Sequence, residues 1–357
     1  MSENKTDLVI IGAGPAGLTA AQYGARANLK TLVIEQLSAG GQLLLIDVLE
    51  NYPGNVGQHD AEGKVISGPK TGYDFSQDLH NQAMEFGASF ISGAVTMLEK
   101  TGDNFIVTLA DGNKISAMAV IIATGATHSH LNIPGEKEFT GRGVSYCATC
   151  DGPFFKNKKI FVAGGGDAAC DDAQFLSRLS TQVILVHRRN QFRAQKALAE
   201  RVMKNQNIEV RLNTIIREIK GGAAPNAVGP AAAMQKVNAV VLERTTNDGK
   251  GTGEIYEEST DAVFILAGTI PQSALVSGKA PGGASGDSVS GAASGGVKAD
   301  LDALGAIVTN QKMATSIPGL YAAGDVRSGT FKQVVVAAGE GATAAHNAAE
   351  YIELISK

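Results

Sequence analysis

The chain has 357 residues, which is long for a single hydrophobic core, so we expect two domains. Its 31 Lys and Arg residues against 35 Asp and Glu residues give a formal net charge of -4. That balance argues against nucleic acid or an anionic membrane as a partner. The polar residues 1–7 leave no room for a signal peptide, and no run of 18 apolar residues predicts a membrane span.

The first predicted elements are an apolar strand at 8–11, a turn at 12–17, a helix at 18–27 and a strand at 31–35. The turn has glycines at the three spacings of a dinucleotide fingerprint: one for the sharp turn, one for the approach of a pyrophosphate and one for close helix packing. Glu35 ends the second strand, where a carboxylate can bind a ribose hydroxyl. The alternative is a glycine turn without a ligand.

Strands at 104–109 and 117–123 follow, with hairpin turns that suit a three-stranded insert on the sheet. The first pattern then returns as a strand at 159–163, a turn at 164–166, a helix at 168–179 and a strand at 182–187. This internal repeat predicts an α/β fold with two Rossmann-like dinucleotide-binding domains.

The second fingerprint differs from the first at the position that reads the ribose. His187 stands where the first site has an acid, and Arg188, Arg189 and Arg193 follow it. Guanidinium groups bind phosphate in a bidentate manner, so this site favours NADPH over NADH. The alternative is a solvated basic strand end.

Apolar strands resume at 262–266 and 319–325, so we expect the first domain to close from both ends of the chain. The predicted domains are 1–130 with 260–357, and 131–259. Asp325 precedes an Ala-rich helix predicted at 332–351, where it can bind a ribityl hydroxyl or be an ordinary turn residue. Three Gly-rich stretches, 54–72, 221–234 and 277–300, are predicted surface loops.

Cys147 and Cys150 are the only closely spaced cysteines among three in the chain. Such a pair exchanges readily with disulfides near neutral pH. Three cysteines do not make the framework of a secreted protein, which favours the cytoplasm. Zinc is the main alternative, but a structural site needs four ligands, so we predict no metal. Asp151 is a candidate proton donor or a turn residue, and Cys170 is predicted to pack as an apolar residue.

Together these motifs resemble the low-molecular-weight, bacterial-type thioredoxin reductases over nearly the whole chain. Further matching segments are 40–42, 50–54, 123–126 and 323–326. The FAD contacts expected from the first fingerprint and the resemblance are Gly12, Gly14, Pro15, Ala16, Gly17, Glu35, Gln36, Gly40, Gly41, Gln42, Asn51, Ala123, Thr124, Gly125, Gly324, Asp325, Lys332, Gln333 and Val334. The NADPH contacts expected are Gly164, Gly166, Asp167, Ala168, Ala169, His187, Arg188, Arg189 and Arg193.

The resemblance implies that NADPH reduces FAD, that FAD reduces the Cys147–Cys150 disulfide, and that the dithiol reduces thioredoxin or a thioredoxin-like protein. It also implies that Cys150 faces the flavin, Cys147 attacks the partner and Asp151 is the acid. A homodimer with a rotating NADPH domain is expected, with hinges near 130–135 and 257–261.

Two departures from the family pattern bear on partners and affinity. Asp167-Ala168 replaces the usual Asn-Ser, and we expect the added carboxylate to weaken pyrophosphate binding. The loop at 55–72 is longer than usual, which could alter partner choice. Two rival functions stay open: the flavoprotein of a peroxide-reducing system, for which the early first strand leaves no extra dithiol domain, and a redox sensor.

Overall fold

A computed structural model describes residues 4–46, 48–49, 51–60, 62, 65–222, 235–277 and 296–357. Most of the loops predicted at 221–234 and 277–300, and Glu50 of one family motif, lie outside these ranges. The chain divides into two compact units, a first one of Met1–Thr127 with Ile270–Lys357 and a second one of His128–Thr269. Both hinge segments suggested by the sequence, 130–135 and 257–261, therefore lie inside the second unit.

Strands and helices follow one another along both units. In chain order, the strands are β1 Asn4–Ile11, β2 Thr31–Glu35, β3 Gln58–His59, β4 Val65–Ser67, β5 Ser89–Ser92, β6 Val95–Thr101, β7 Asn104–Leu109, β8 Lys114–Ile122, β9 Ala126–His128, β10 Val144–Ser145, β11 Ile160–Gly164, β12 Val183–His187, β13 Ile208–Leu212, β14 Thr214–Gly222, β15 Lys236–Thr245, β16 Gly251–Ser259, β17 Ala262–Leu266, β18 Thr269–Pro271 and β19 Leu320–Ala322. The helices are α1 Pro15–Arg26, α2 Gly72–Glu85, α3 Ala148–Asp151, α4 Asp167–Leu176, α5 Lys196–Lys204, α6 Ala274–Ser277 and α7 Val334–Ile355.

The first unit is built on a seven-stranded sheet in the order β5-β2-β1-β8-β7-β6, in which β19 also pairs with β8. The β1, β2, β5, β8 and β19 pairings are parallel, whereas β6 and β7 run antiparallel as a meander onto β8. Leu8, Val9 and Ile10 of β1 are fully buried, as expected of a parallel strand that is covered on both faces.

A glycine lets two helices pack closely on this sheet. A Cβ on Gly341 of α7 would lie 2.1 Å from the carbonyl oxygen of Ala16 in α1. Contact this close between helix backbones needs a residue without a side chain. Helices α1 and α7 therefore share one apolar layer over the ends of β1, β8 and β19, where strands and helix starts converge.

The second unit contains a parallel five-stranded sheet in the order β10-β17-β11-β12-β13. Helices α4 and α5 cover one face, and a three-stranded antiparallel sheet, β14-β15-β16, contributes to the core on the other. Strand β17 pairs with β10 and β11 and so belongs to the second unit, which ends at Thr269, ten residues after the end predicted at 259. Apolar character alone did not indicate which of two parallel sheets this strand joins.

The observed elements also shift several predicted ends. Helix α1 begins at Pro15, three residues before the predicted start, because proline suits the first turn of a helix. Helix α4 ends at Leu176, and α7 begins at Val334 with Gln333 as its N-cap. Lys332 and Gln333 thus precede the last helix. Within the described ranges, no helix is long and apolar enough to span a membrane.

Candidate functional site

The first glycine turn forms a tight cradle that is open on one side. Gly12 has φ of 104°, and a Cβ there would lie 2.4 Å from the carbonyl oxygen of Ala123. A Cβ on Gly17 would lie 1.9 Å from the Gly12 oxygen, whereas a Cβ on Gly14 would have nothing within 4 Å. Gly14 is the N-cap of α1 and makes no side-chain capping bond. The backbone N–H groups at this helix start therefore fit a pyrophosphate.

Other predicted FAD residues gather around this turn. Glu35 accepts hydrogen bonds from the backbone N–H of Ala13 (2.7 Å) and of Leu37 (2.9 Å), so its carboxylate is fixed at the end of β2. The N–H of Gly40 donates to the carbonyl of Ala13 at 2.8 Å. A Cβ on Gly41 would lie only 3.2 Å from the Gly14 Cα, because the two glycine segments lie side by side.

Long-range hydrogen bonds bring further predicted residues together. The Asn51 amide donates to the Gln333 side-chain oxygen at 2.9 Å, across 282 positions of sequence. The Gln42 amide donates to the Ala126 carbonyl at 2.6 Å, and the Thr124 hydroxyl donates to the Gln272 carbonyl at 2.6 Å. The remaining predicted residues of this unit lie at strand ends or helix starts: Pro15, Ala16, Gln36, Ala123, Gly125, Gly324 and Val334.

Asp325 and Lys332 precede α7, and their opposite charges attract one another. Burial raises the pKa of the Asp325 carboxyl, and the Lys332 cation opposes that rise. Burial lowers the pKa of the Lys332 ammonium, and Asp325 opposes that change. A half-buried acid at a strand end suits a hydroxyl ligand such as the ribityl chain of FAD.

Glu340 is a residue of this region that was not predicted from the sequence. Its buried carboxylate accepts hydrogen bonds from the Gly324 N–H (2.8 Å), the Arg327 guanidinium (2.7 Å) and the Thr330 hydroxyl (2.8 Å). These bonds fix the turn that carries Asp325. The sequence feature that could have indicated Glu340 is a single acid on the apolar, inner face of an Ala-rich helix.

The second glycine turn repeats this construction. A Cβ on Gly164 would lie 2.5 Å from the Ala169 Cβ, and one on Gly165 would lie 2.1 Å from the His187 ring. A Cβ on Gly166, the N-cap of α4, would meet nothing within 4 Å. Asp167 and Ala168 follow on the exposed side of the helix start, so this turn also leaves its backbone open to a phosphate.

Three arginines and a buried histidine stand beside this turn. His187 is 6% exposed, and its Nε2 atom is buried without a hydrogen-bond partner among the described residues. Burial and the Arg193 cation lower the pKa of the His187 imidazole. Arg188, Arg189 and Arg193 are exposed, and in the described part of the chain none forms an ion pair. A basic cluster without a carboxylate partner fits the 2′-phosphate of NADPH.

A disulfide joins Cys147 and Cys150, whose Cα atoms are 5.3 Å apart. Cys147 is the N-cap of α3, and its Sγ accepts the backbone N–H of Cys150 at 3.2 Å. The Thr149 hydroxyl lies 3.5 Å from the same sulfur. Both cysteines are half-buried, whereas Cys170 lies fully buried in the core beneath α3. The bonded pair is available for exchange.

Two acids near the disulfide were also not predicted. Glu136 is 3% exposed and accepts the Tyr146 hydroxyl at 2.9 Å, directly before Cys147. The His130 Nδ1 lies 3.0 Å from the same Glu136 oxygen, and the His128 ring stacks on Tyr146. Asp172 of α4 has its pKa raised to about 6 by burial, against the Ala148 N–H, which favours the charged form. The residues around Glu136 and Asp172 show no periodic pattern that would have predicted these contacts.

Comparison with known proteins places these features in a family. The model of the pyridine nucleotide-disulphide oxidoreductases matches residues 6–341. A thioredoxin reductase of Treponema pallidum (strain Nichols) is 45% identical over 353 residues, which cover 99% of both chains. One of Peptoclostridium litorale is 38% identical over 98% of both chains.

Solved structures agree with this result. The thioredoxin reductase of Streptococcus pyogenes MGAS5005 is 35% identical and matches 99% of this chain and 100% of its own, with a TM-score of 0.79. That of Giardia duodenalis is 31% identical, with 98% and 100% covered and a TM-score of 0.79. The chain belongs to the pyridine nucleotide-disulphide oxidoreductases and, within them, to the low-molecular-weight thioredoxin reductase family.

Proposed function

We propose that this chain transfers electrons from NADPH, through FAD and the Cys147–Cys150 disulfide, to thioredoxin or a thioredoxin-like protein. The observation that carries the proposal is the half-buried Cys147–Cys150 disulfide in the same unit as an arginine-bearing nucleotide fold. The first unit would bind FAD and the second NADPH, as the two open glycine turns support. Family membership supplies both cofactors.

FAD, when bound, supplies the two-electron step between NADPH and a disulfide. The Cys147–Cys150 bond breaks on accepting two electrons and two protons, which leaves two thiols. Cys147, as a thiolate, then attacks one sulfur of the partner disulfide, so that a mixed disulfide forms and the other partner sulfur leaves as a thiolate. Cys150 attacks the Cys147 sulfur, the original disulfide returns and the second partner thiolate is released.

The contacts of the Cys147 sulfur support its role as the attacking group. The N–H of Cys150, 3.2 Å away, and the Thr149 hydroxyl can both donate to a thiolate there. Such donors stabilise a thiolate because they favour the charged form. We assign Asp151, the last residue of α3, to proton transfer with the pair, and Cys150 to the flavin side.

Assembly and location complete the proposal. We infer a homodimer, which sedimentation of the FAD-loaded protein would test. The cytoplasm is the proposed compartment, because a dithiol that must be reduced repeatedly requires a reducing environment. Thioredoxin as the partner rests on the names of the relatives, and its exchange with Cys147 is open to direct measurement.

The test is NADPH-driven reduction of an aromatic disulfide reagent, followed by absorbance, with and without thioredoxin. We expect turnover to require thioredoxin and to fall to background in Cys147→Ser and in Cys150→Ser. Cys170→Ser is the matched control, because this thiol lies buried in the core and outside the proposed path, and it should keep turnover. Turnover that is independent of thioredoxin, or that survives Cys150→Ser, would overturn the proposal.

A further inference from the structure

The arginine loop, residues 188–195, is fastened to the rest of the second unit by its backbone. The backbone carbonyls of Arg188 and Arg189 accept hydrogen bonds at one end, and the backbone N–H groups of Arg193 and Gln195 donate at the other. The four bonds are Thr245 hydroxyl to Arg188 carbonyl (2.8 Å), Asn213 N–H to Arg189 carbonyl (3.2 Å), Arg193 N–H to Gly165 carbonyl (2.7 Å) and Gln195 N–H to Asp167 carboxylate (2.7 Å). The last of these is the one made by a side chain of the fingerprint itself.

Asp167 is the first residue of α4 and follows directly on the open glycine turn. From the sequence, its carboxylate was expected to repel a pyrophosphate there. In the structure Oδ1 accepts the Gln195 backbone N–H, and Oδ2 lies 3.4 Å from the Gln195 side-chain nitrogen. Gln195 is in turn the N-cap of α5, and it makes no capping bond of its own. The carboxylate is therefore engaged with the arginine loop.

We propose that Asp167 is a positioning residue that holds the arginine loop in the shape that receives a 2′-phosphate, and so sets the preference of this site for NADPH over NADH. The inference deepens the proposed function and rests on it, because it takes the second unit as the NADPH site. Asp167 acts through the Gln195 N–H.

Ordering is the physical basis of this role. The three arginine side chains are exposed and lack carboxylate partners among the described residues, so their placement depends on the backbone beneath them. A loop released at Gln195 must be ordered again when the nucleotide binds, and that cost weakens binding. The loss falls on ligands that carry a 2′-phosphate, since the 5′-phosphate is held by the glycine turn.

Four variants separate the hydrogen bond from the charge. Asp167→Ala removes both, whereas Asp167→Asn keeps an acceptor for the Gln195 N–H. Gln195→Pro removes the backbone N–H together with the side-chain amide, and the φ of -53° at Gln195 already lies within the range of proline. Gln195→Ala is its matched control, since it retains the N–H.

The measurement is calorimetric binding of 2′,5′-ADP and of 5′-AMP to the FAD-loaded protein, reported as the ratio of the two affinities. We expect Asp167→Ala and Gln195→Pro each to lower this ratio about three- to fivefold, as for a lost helix cap. Asp167→Asn and Gln195→Ala should stay within about twofold of the unmodified protein.

Two results would overturn the inference, and a third would refute the proposed function on which it rests. An unchanged ratio in both Asp167→Ala and Gln195→Pro would mean that the loop does not depend on this bond. If Asp167→Ala and Asp167→Asn both raised the affinities for the two ligands equally, the Asp167 carboxylate would act simply by repelling phosphate. A ratio near one in the unmodified protein would instead refute the NADPH site of the proposed function.

Discussion

Replacing Asp172 by asparagine should stabilise the protein at neutral pH. Asp172 lies on α4, and burial raises the pKa of its carboxyl from 3.8 to about 6, with a smaller rise from Asp171. The folded state thus disfavours the charged form that the unfolded chain adopts freely. Asparagine has nearly the same shape and can still accept the Ala148 N–H, but it carries no charge to bury.

The sign of the pH dependence follows from that raised pKa. Below about pH 4 the carboxyl is neutral in both states and costs nothing. As pH rises from about 4 to about 6 the unfolded chain ionises first, so stability is lost, and above the folded pKa the loss stays constant. A shift of about two units corresponds to about 3 kcal/mol at most, and we expect about half of this after solvent screening.

Thermal unfolding of the FAD-loaded protein between pH 5 and pH 8 measures the effect. With an unfolding entropy of about 2.1 cal/mol/K per residue over 357 residues, about 1.5 kcal/mol predicts that Asp172→Asn raises Tm by about 2 °C at pH 7.5, with a gain about half as large near pH 5. Asp171→Asn is the matched control, because that side chain is exposed, and its Tm should change by less than about 1 °C. A variant no more stable than its parent at pH 7.5, or a gain that does not grow with pH, would refute the reasoning.

Two further predictions concern the glycine turn and the tyrosine before the dithiol. Gly17→Ala should abolish flavin retention, since its Cβ would lie 1.9 Å from a carbonyl oxygen, while Gly14→Ala should fold normally and yet bind flavin less tightly. Flavin absorbance per chain and circular dichroism measure both, and full flavin in Gly14→Ala would place the pyrophosphate elsewhere. Tyr146→Phe should cost about 1 to 2 kcal/mol by removing a donor to buried Glu136, as judged by denaturant unfolding against exposed Tyr73→Phe. Equal stability of those two variants would contradict that contact.

Local patterns explain why much of the fold was predictable from sequence. A buried strand, a glycine turn and a helix start lie within about 20 residues, so Gly12, Gly17 and Gly164 could be placed from spacing alone. The assignment of Cys147 and Cys150 as a pair rested on similarly short spacing, and the structure joins them. The α/β class followed from the repeat of this pattern.

Features that depend on distant contacts were not predictable in the same way. Strand β17 joins the second sheet through pairing with β10 and β11, and no local pattern favours one parallel sheet over the other. Glu136 and Glu340 bind groups 4 and 16 positions away, but their burial, at 3% and 8% exposure, comes from tertiary packing that no pattern around them indicates. Asp167 was predicted to act on a phosphate, yet its hydrogen bond reaches Gln195, 28 positions away.

The hydrogen bond between Asn51 and Gln333 bears on how the protein is made. During translation, the second unit, His128–Thr269, is complete before the last strand and helix of the first unit are synthesised. Since domains generally fold as units during synthesis, the second unit can fold first. The first unit must wait for the end of translation, so a prematurely terminated chain would retain the second glycine turn and the dithiol but would lack the last strand and helix of the first unit.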